Sequence, residues 1–167
     1  MGLDNLLRAL QLVKKNGFRP YIVIGGSGSL RSSLEDLRDK LGLADDVRFL
    51  GFVQADSLPR FYGASDASII PTSQLECFGI IALESLACGI PTLVTPVGAL
   101  PEVMRNFESR WIANSNTPEA IAAIICDYLS KILPSHTPEE LRSIIAQRYS
   151  IENAVLKYEQ ILSGAYK

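Results

Sequence analysis

Short apolar runs alternate with helical patterns through most of this chain, and that alternation leaves few folds open. In "LDNLLRALQLVKK" (3–15), Leu3, Leu6, Leu7, Leu10 and Val13 recur at helical spacing, which predicts an amphipathic helix. "NGFRP" breaks the pattern, and "YIVIGG" follows as a continuous apolar run, the mark of a buried strand. "SLRSSLEDLRDKLG" reads as a helix that stops with Gly42 at C′. "DVRFLGFV" predicts a second strand, and "DSLPRFYGAS" a short helix capped by Asp56 or Ser57. "ASIIPT" is a third strand, "FGIIALESLACG" a helix, "PTLVTPV" a fourth strand, "ALPEVMR" a short helix and "SRWIAN" a fifth strand. Strands alternating with helices imply an α/β fold, a parallel sheet with helices on both faces.

From residue 117 onward the reading is helical throughout. Thr117 stands before Pro118, and Thr137 before Pro138 with Glu140 placed to complete a capping box. "IENAVLKYEQILSGAY" closes the chain. Residues 1–167 therefore read as one domain, with 117–167 as its helical tail. A length of 167 residues suits a single compact domain, and 47% hydrophobic content supplies a core.

The formal charge of -2, with acids and bases interspersed, argues against a nucleic-acid binder that works through a basic face. No apolar run reaches a membrane span, and the N-terminal stretch is an amphipathic helix rather than a signal peptide. Position 6 is leucine, where a myristoylation motif needs Ser or Thr. Cys77, Cys88 and Cys126 are odd in number and form no CxxC pair, so a reduced, cytoplasmic setting is expected. His136 is the single histidine and has no ligand cluster around it, so no metal is expected.

In a parallel sheet, ligands sit beyond the carboxyl ends of the strands. "GGSGSLR", "GFV" and "TSQLECFG" occupy that edge, and the last runs into a helix N-terminus, where free N–H groups and the macrodipole favour phosphate. Gly79 would let a ligand approach the backbone there. Glu76 precedes the helix and should project into the crevice. Glu84 lies inside a helix whose Ile80, Ile81, Leu83, Leu86 and Ala87 suggest a largely buried element, so its carboxylate needs a hydrogen-bonding partner. Vicinal sugar hydroxyls suit a carboxylate, and an anion flanked by two such acids describes a nucleotide sugar. From spacing alone, an ordinary loop acid and an ordinary helix acid stay equally open.

Rival motifs fail. Counting from Gly26, G-x-G-x-x-G would need glycine where Arg31 stands, and no acid ends "DVRFLGFV" to hold a ribose, so a nicotinamide enzyme is disfavoured. G-x-S-x-G fails at Ser29. Arg31 either touches a phosphate or takes a solvated helix position. His136 is expected to do turn geometry only, Cys77 and Cys88 to be small core residues, and Tyr149, Tyr158 and Tyr166 to be packing groups.

"PTSQLECFGIIALESLACGIPTLVTPVGALPEV" resembles the donor-binding, C-terminal half of a GT-B glycosyltransferase, closest to the retaining group 1 enzymes of glycosyltransferase family 4. That family's pattern is P-S-x-x-E-x-F-G-x-x-x-x-E-x-x-A-x-G-x-P-V with a G-G-x-x-E loop after it. Pro71, Glu76, Phe78, Gly79, Glu84, Ala87, Gly89 and Pro91 fall in register. Upstream, "YIVIGG" to "VRFLGFV" is similar to the family's preceding blocks, so the likeness spans nearly the whole chain.

The resemblance implies a Rossmann-like sheet and a role for each matched position. Glu76 would be the catalytic residue, binding hydroxyls of the transferred sugar and helping to orient the anomeric centre. Phe78, Gly79, Ile80 and Ile81 would offer backbone N–H groups to sugar and diphosphate, and Glu84 would hold the ribose. Phe52 and Val53 would line the base, with Gly25 and Gly28 shaping the turn beside it. Glu102 matches the loop acid, while Ala99 stands where a second glycine is usual, and Cys77 stands where glycine is common. No cofactor is implied. The partners would be a nucleoside-diphosphate sugar donor, an acceptor glycan, lipid or small molecule, and an N-terminal domain.

Members usually enter this domain through a strand ending in G-R and then K-G. Met1 stands at the lysine position. The resemblance therefore implies a chain lacking the central strand of its sheet and two phosphate-binding cations, with exposed pairing edges or direct pairing of the strands to either side. It would be inactive alone, and a non-catalytic nucleotide-sugar or partner-binding module is the alternative. A cytoplasmic protein is implied, with peripheral contact to the inner face of a membrane left open.

Overall fold

The computed structural model describes residues 2–164, so Met1 and Tyr166, both given roles above, lie outside the described residues. Helix α1 spans Leu3–Lys15 as its spacing predicts and buries Leu6, Leu7, Ala9, Leu10 and Val13. Each large side chain so buried stabilises by about 1.5–3 kcal/mol before entropy. The helix begins at Gly2 in the left-handed region, φ 78°, where any Cβ would overlap the Pro71 carbonyl. Its buried face meets α6 (Pro118–Leu129), which contributes Ile121, Ala122, Ile124 and Ile125 to the same core.

Strand β1 (Ile22–Gly25) pairs in parallel with β2 (Val47–Gly51), Ile22 opposite Val47 and Ile24 opposite Phe49. Helix α2 (Arg31–Lys40) connects them and ends as expected, with Gly42 at φ 68° and Leu43 N–H bonded to the Arg38 carbonyl. Helix α3 (Leu58–Gly63) follows a short 3₁₀ turn. Neither expected cap bonds it through a side chain: Ser57 holds the cap position with no such bond, and Asp56 lies in the 3₁₀ turn before it. Strand β3 (Ser68–Ile70) pairs in parallel with β4 (Thr92–Val94) through helix α4 (Ile80–Ala87). The architecture is α/β with parallel strands, and it departs from one continuous sheet. β1 with β2 and β3 with β4 form two separate ladders, and among the described residues β1 and β3 are not bonded to each other. The direct pairing of β1 with β3 expected from the sequence is not found among the described residues.

Two strand expectations are corrected. In β1 only Ile24 is buried, while Val23 and Tyr21 are exposed, because the run has a covered face and an open one. "SRWIAN" forms no strand. Helix α5 (Leu100–Met104) leads to a 3₁₀ turn at Ser109–Trp111, and Ile112 makes a single parallel bridge to Val94. The physical reason is local. Glu108 accepts from the Arg110 N–H at 2.9 Å, and the fully buried Trp111 ring donates to the Pro134 carbonyl at 3.1 Å, which turns the main chain out of the ladder.

The tail folds back on the domain. Thr117 caps α6 through Ala120 N–H, and Thr137 with Glu140 forms the expected capping box on α7 (Pro138–Tyr149). Helix α7 lies on α4, where Arg142 donates to the Cys88 carbonyl at 3.0 Å. Helix α8 (Ile151–Leu162) is capped by Ser150. Tyr149 stacks on Phe107 with ring centroids 6.2 Å apart, but Tyr158 is exposed rather than packed. His136 sits edge-on to Trp111 at 5.4 Å, between Glu108 and Glu140, so it belongs to the tail's packing and not only to its turn. Among the described residues no helix is long and apolar enough to cross a membrane.

Candidate functional site

Gly25 ends β1, and a Cβ on it would come within 3.1 Å of Val53 and 3.3 Å of the Phe61 ring. The missing side chain thus lets the segment after β2 and helix α3 close onto the strand end. Gly26 N–H reaches the Gly51 carbonyl at 2.7 Å, and the exposed Gly28 accepts from Arg31 N–H at 3.2 Å. Val53 is half-buried, while Phe52 stands in solvent at 77% exposure. Arg31 is engaged within the protein. Its guanidinium bonds Glu35 at 2.9 Å and the Phe49 carbonyl at 3.2 Å, which holds the end of β2.

Helix α4 starts after Gly79, whose φ of 81° only glycine adopts without strain. A Cβ there would also lie 2.6 Å from a Leu100 methyl, so α5 packs closely against this glycine. Ala82, Ser85 and Leu86 form the buried face. Ile80 and Ile81 are 61% and 43% exposed, and Ala87 is exposed, which corrects the reading of a helix covered nearly all round. Among the described residues the N–H groups of Ile80 and Ile81 have no protein acceptor. Two apolar side chains in solvent beside two unpaired donors make an opening rather than a core contact.

Glu84, one turn further into α4, is half-buried and has the partner it needs: the Tyr62 hydroxyl donates to Oε2 at 2.9 Å. Burial first, then this hydrogen bond and the carboxylate charge, push the Tyr62 pKa above its ordinary 10.0. Cys88, half-buried one turn beyond Glu84, is also raised, by burial first. Since α3 carries Phe61 beside Gly25 and Tyr62 beside Glu84, it links one position expected near the base to the one expected at the ribose.

Glu76 belongs to the loop before α4, and both its oxygens accept protein donors. Oε1 takes Gly79 N–H at 3.1 Å, and Oε2 takes the Thr72 hydroxyl at 3.4 Å. The carboxylate acts on the helix as a cap would, and the N-terminal dipole favours its charge. A carboxylate has room for further donors, so sugar hydroxyls can still reach it. Phe78 turns toward the tail. Its ring lies 6.5 Å from Tyr149 and borders an open hollow of about 480 Å³ shared with Leu83, Arg148, Lys157 and Tyr158. Cys77 is exposed, not a core residue, because it precedes the helix. Glu102 is exposed on the first turn of α5. Among the described residues no group of three or more potential ligands could hold a metal ion.

The sequence profile of the glycosyl transferases group 1 matches residues 1–148. The chain belongs to this family. It is 40% identical over 122 residues to an uncharacterised glycosyltransferase of Methanocaldococcus jannaschii, covering 72% of this chain and 30% of that protein. It is 37% identical over 158 residues to a D-inositol 3-phosphate glycosyltransferase of Acidothermus cellulolyticus, covering 92% and 34%. The chain thus spans about a third of the length of these group 1 relatives. Its fold matches that of HepE from Anabaena, solved with UDP and glucose, at a TM-score of 0.74 and 20% identity, over 95% of this chain and 44% of that one. It also matches the C-terminal domain of a group 1 glycosyl transferase from Francisella tularensis at a TM-score of 0.73 and 22% identity, over 90% and 80%. These likenesses place the fold with the C-terminal, Rossmann-like domains of GT-B glycosyltransferases.

Tyr62 and Thr72, whose hydroxyls bond Glu84 and Glu76, are the neighbours of the candidate positions that the sequence reading missed. The need of Glu84 for a donor was visible, but nothing in the spacing linked it to a tyrosine 22 residues upstream.

Proposed function

We propose that this domain binds the nucleoside-diphosphate sugar donor of a glycosyl transfer that retains anomeric configuration. Glu84 holds the ribose hydroxyls, and Ile80 and Ile81 give their N–H groups to the diphosphate at the start of α4, with Phe78 and Gly79 forming the bend before them. Glu76 takes hydroxyls of the transferred sugar, and Gly25, Gly28, Phe52 and Val53 surround the base. In the reaction an acceptor oxygen replaces the diphosphate oxygen at the anomeric carbon. The charge that develops on the departing diphosphate meets the positive end of α4, where fixed donors stabilise it without reorganising.

The observation that carries the reading is the arrangement on α4. Unpaired N–H groups in the first turn are flanked by Glu76 before it and by Glu84 one turn inside it, each carboxylate held by a protein donor. An anion with a polyol on either side fits that order, and Anabaena HepE, of the same fold, was solved with UDP and glucose. In this reading the acceptor is brought by an N-terminal domain.

Calorimetric titration of the full-length protein with UDP-, GDP- and ADP-sugars tests the reading. One nucleotide series should bind, and Glu84→Ala should weaken it by about tenfold or more, the loss of charge-assisted bonds to two hydroxyls. Donor binding that ignores Glu84 refutes the assignment.

A further inference from the structure

Glu84 is gripped on one side only. Its Oε2 accepts the Tyr62 hydroxyl at 2.9 Å, and among the described residues no donor reaches Oε1. The only enclosed side-chain polar atom without a partner among them is His136 Nε2, so Glu84 Oε1 is not sealed from solvent. Tyr62 is the more deeply placed partner, 7% exposed, with its ring fixed edge-on against Phe61 at 5.9 Å. A glutamate side chain turns about three bonds, and a free carboxylate would spread over many orientations. A buried phenol packed in this way favours the orientation in which Oε2 meets the hydroxyl and Oε1 stays without a protein donor.

We propose that Tyr62 is a positioning residue: it presents Glu84 Oε1 to the ribose of the donor and so sets the discrimination between ribose and deoxyribose nucleotides. The inference rests on the donor-binding reading of Glu84 given above. Its physical basis is preorganisation. Ordering the acceptor before the ligand arrives removes that cost from binding, and the gain is realised only by a ligand that has the hydroxyl. Tyr62 does not touch the nucleotide. Its effect should therefore be confined to the ribose hydroxyls and leave base and phosphate contacts alone. The hydroxyl keeps its proton at neutral pH and serves as a donor there, consistent with the direction of its pKa.

The test compares UDP with 2′-deoxy-UDP, and GDP with 2′-deoxy-GDP, on the full-length wild type, Tyr62→Phe and Glu84→Ala. Wild type should favour the ribose form by about tenfold, the scale of one hydrogen bond to a charged group. Glu84→Ala should abolish that preference. Tyr62→Phe should reduce it to about threefold or less while leaving affinity for the deoxy form within about twofold. A Tyr62→Phe protein that keeps the wild-type preference while Glu84→Ala loses it overturns the inference and leaves the donor reading intact. Equal weakening toward both nucleotides also overturns it, since that is what a merely structural tyrosine would give. A wild type with no ribose preference removes the donor reading of Glu84 and the inference with it. Should Tyr62→Phe fail to fold, Glu84→Gln is compared with the Tyr62→Phe/Glu84→Gln double variant, in which no charge is left unpaired. The single variant must then discriminate more than the double, and equal discrimination overturns the proposal.

Discussion

Gly98 sits directly against the main chain of Glu76. A Cβ on Gly98 would overlap the Glu76 carbonyl, and the neighbouring Ala99 N–H reaches that same oxygen at 3.4 Å. The glycine at φ 59° therefore fixes how closely the loop before α4 approaches the loop before α5.

Gly98→Ala should move Glu76 rather than unfold the protein. Left-handed backbone costs an alanine roughly 1–2 kcal/mol, and the overlap adds to it. The expected outcome is a lower Tm together with a loss of more than about tenfold in transfer rate, since a small misplacement near reacting atoms is costly. Binding of the bare nucleoside diphosphate, which the proposed reading places on the Glu84 side, should change by less than about threefold. Steady-state kinetics beside calorimetry separates the two effects. Equal losses in both would show that Gly98 supports the whole site and not the Glu76 loop.

Thr95 ties the same loop from beneath. Its hydroxyl is buried and donates to the Thr72 carbonyl at 2.6 Å, while its N–H bonds the Ile70 carbonyl at 3.2 Å. Thr95→Val keeps the shape and removes the donor, which leaves a buried carbonyl unpaired at a cost of about 1–3 kcal/mol. Urea unfolding should show a lower midpoint with an unchanged slope, because the exposed surface on unfolding is the same.

Thr137→Ala is expected to be a pure stability lesion. Thr137 accepts from Glu140 N–H at 3.2 Å, and Glu140 returns the bond to Thr137 N–H at 2.8 Å. Losing this cap should cost about 1 kcal/mol. It lies on α7, away from Glu76 and Glu84, so nucleotide affinity measured well below Tm should be unchanged. A weakened affinity would mean that α7 transmits to α4 through Arg142 and Cys88.

The elements legible in the sequence are those specified by neighbours along the chain. The two Thr-Pro caps at Thr117 and Thr137, the stop at Gly42 and the spacing of Leu3 to Val13 all act within a turn or two, and all are found. Strand pairing is non-local, so an apolar run such as "YIVIGG" cannot say whether one face or both are covered. "SRWIAN" fails for a related reason: the Trp111 ring takes its partner from Pro134, which no local pattern reveals. At the candidate site the sequence named positions but could not give their environments. Ile80 and Ile81 have the composition of core residues and stand in solvent, because hydrophobicity alone does not distinguish a packed face from one left open beside unpaired donors. Gly79 was read as clearance for a ligand, and nothing local revealed its positive φ or its close contact with Leu100.

Alkaline pH should loosen the protein through Tyr62. Burial, then the bond to Glu84, raise its pKa in the folded chain above the 10.0 of a free tyrosine. Between those two values the unfolded chain loses a proton that the folded chain retains. The unfolded state then binds fewer protons, so stability falls as pH rises. The contribution is complete below pH 10 and is lost progressively above it, at up to about 1.4 kcal/mol per pH unit from this one group. Tyr128, also raised by burial and bonded to the Asp66 carbonyl at 2.7 Å, adds in the same direction. Tyr62→Phe removes the first of these and should flatten the decline, even though the variant starts from lower stability at neutral pH. Denaturant midpoints taken at half-unit steps from pH 8 to about 11 read the two slopes. Parallel curves for wild type and Tyr62→Phe would mean that the hydroxyl ionises as readily folded as unfolded. The grip of Tyr62 on Glu84 Oε2 would then not persist in solution.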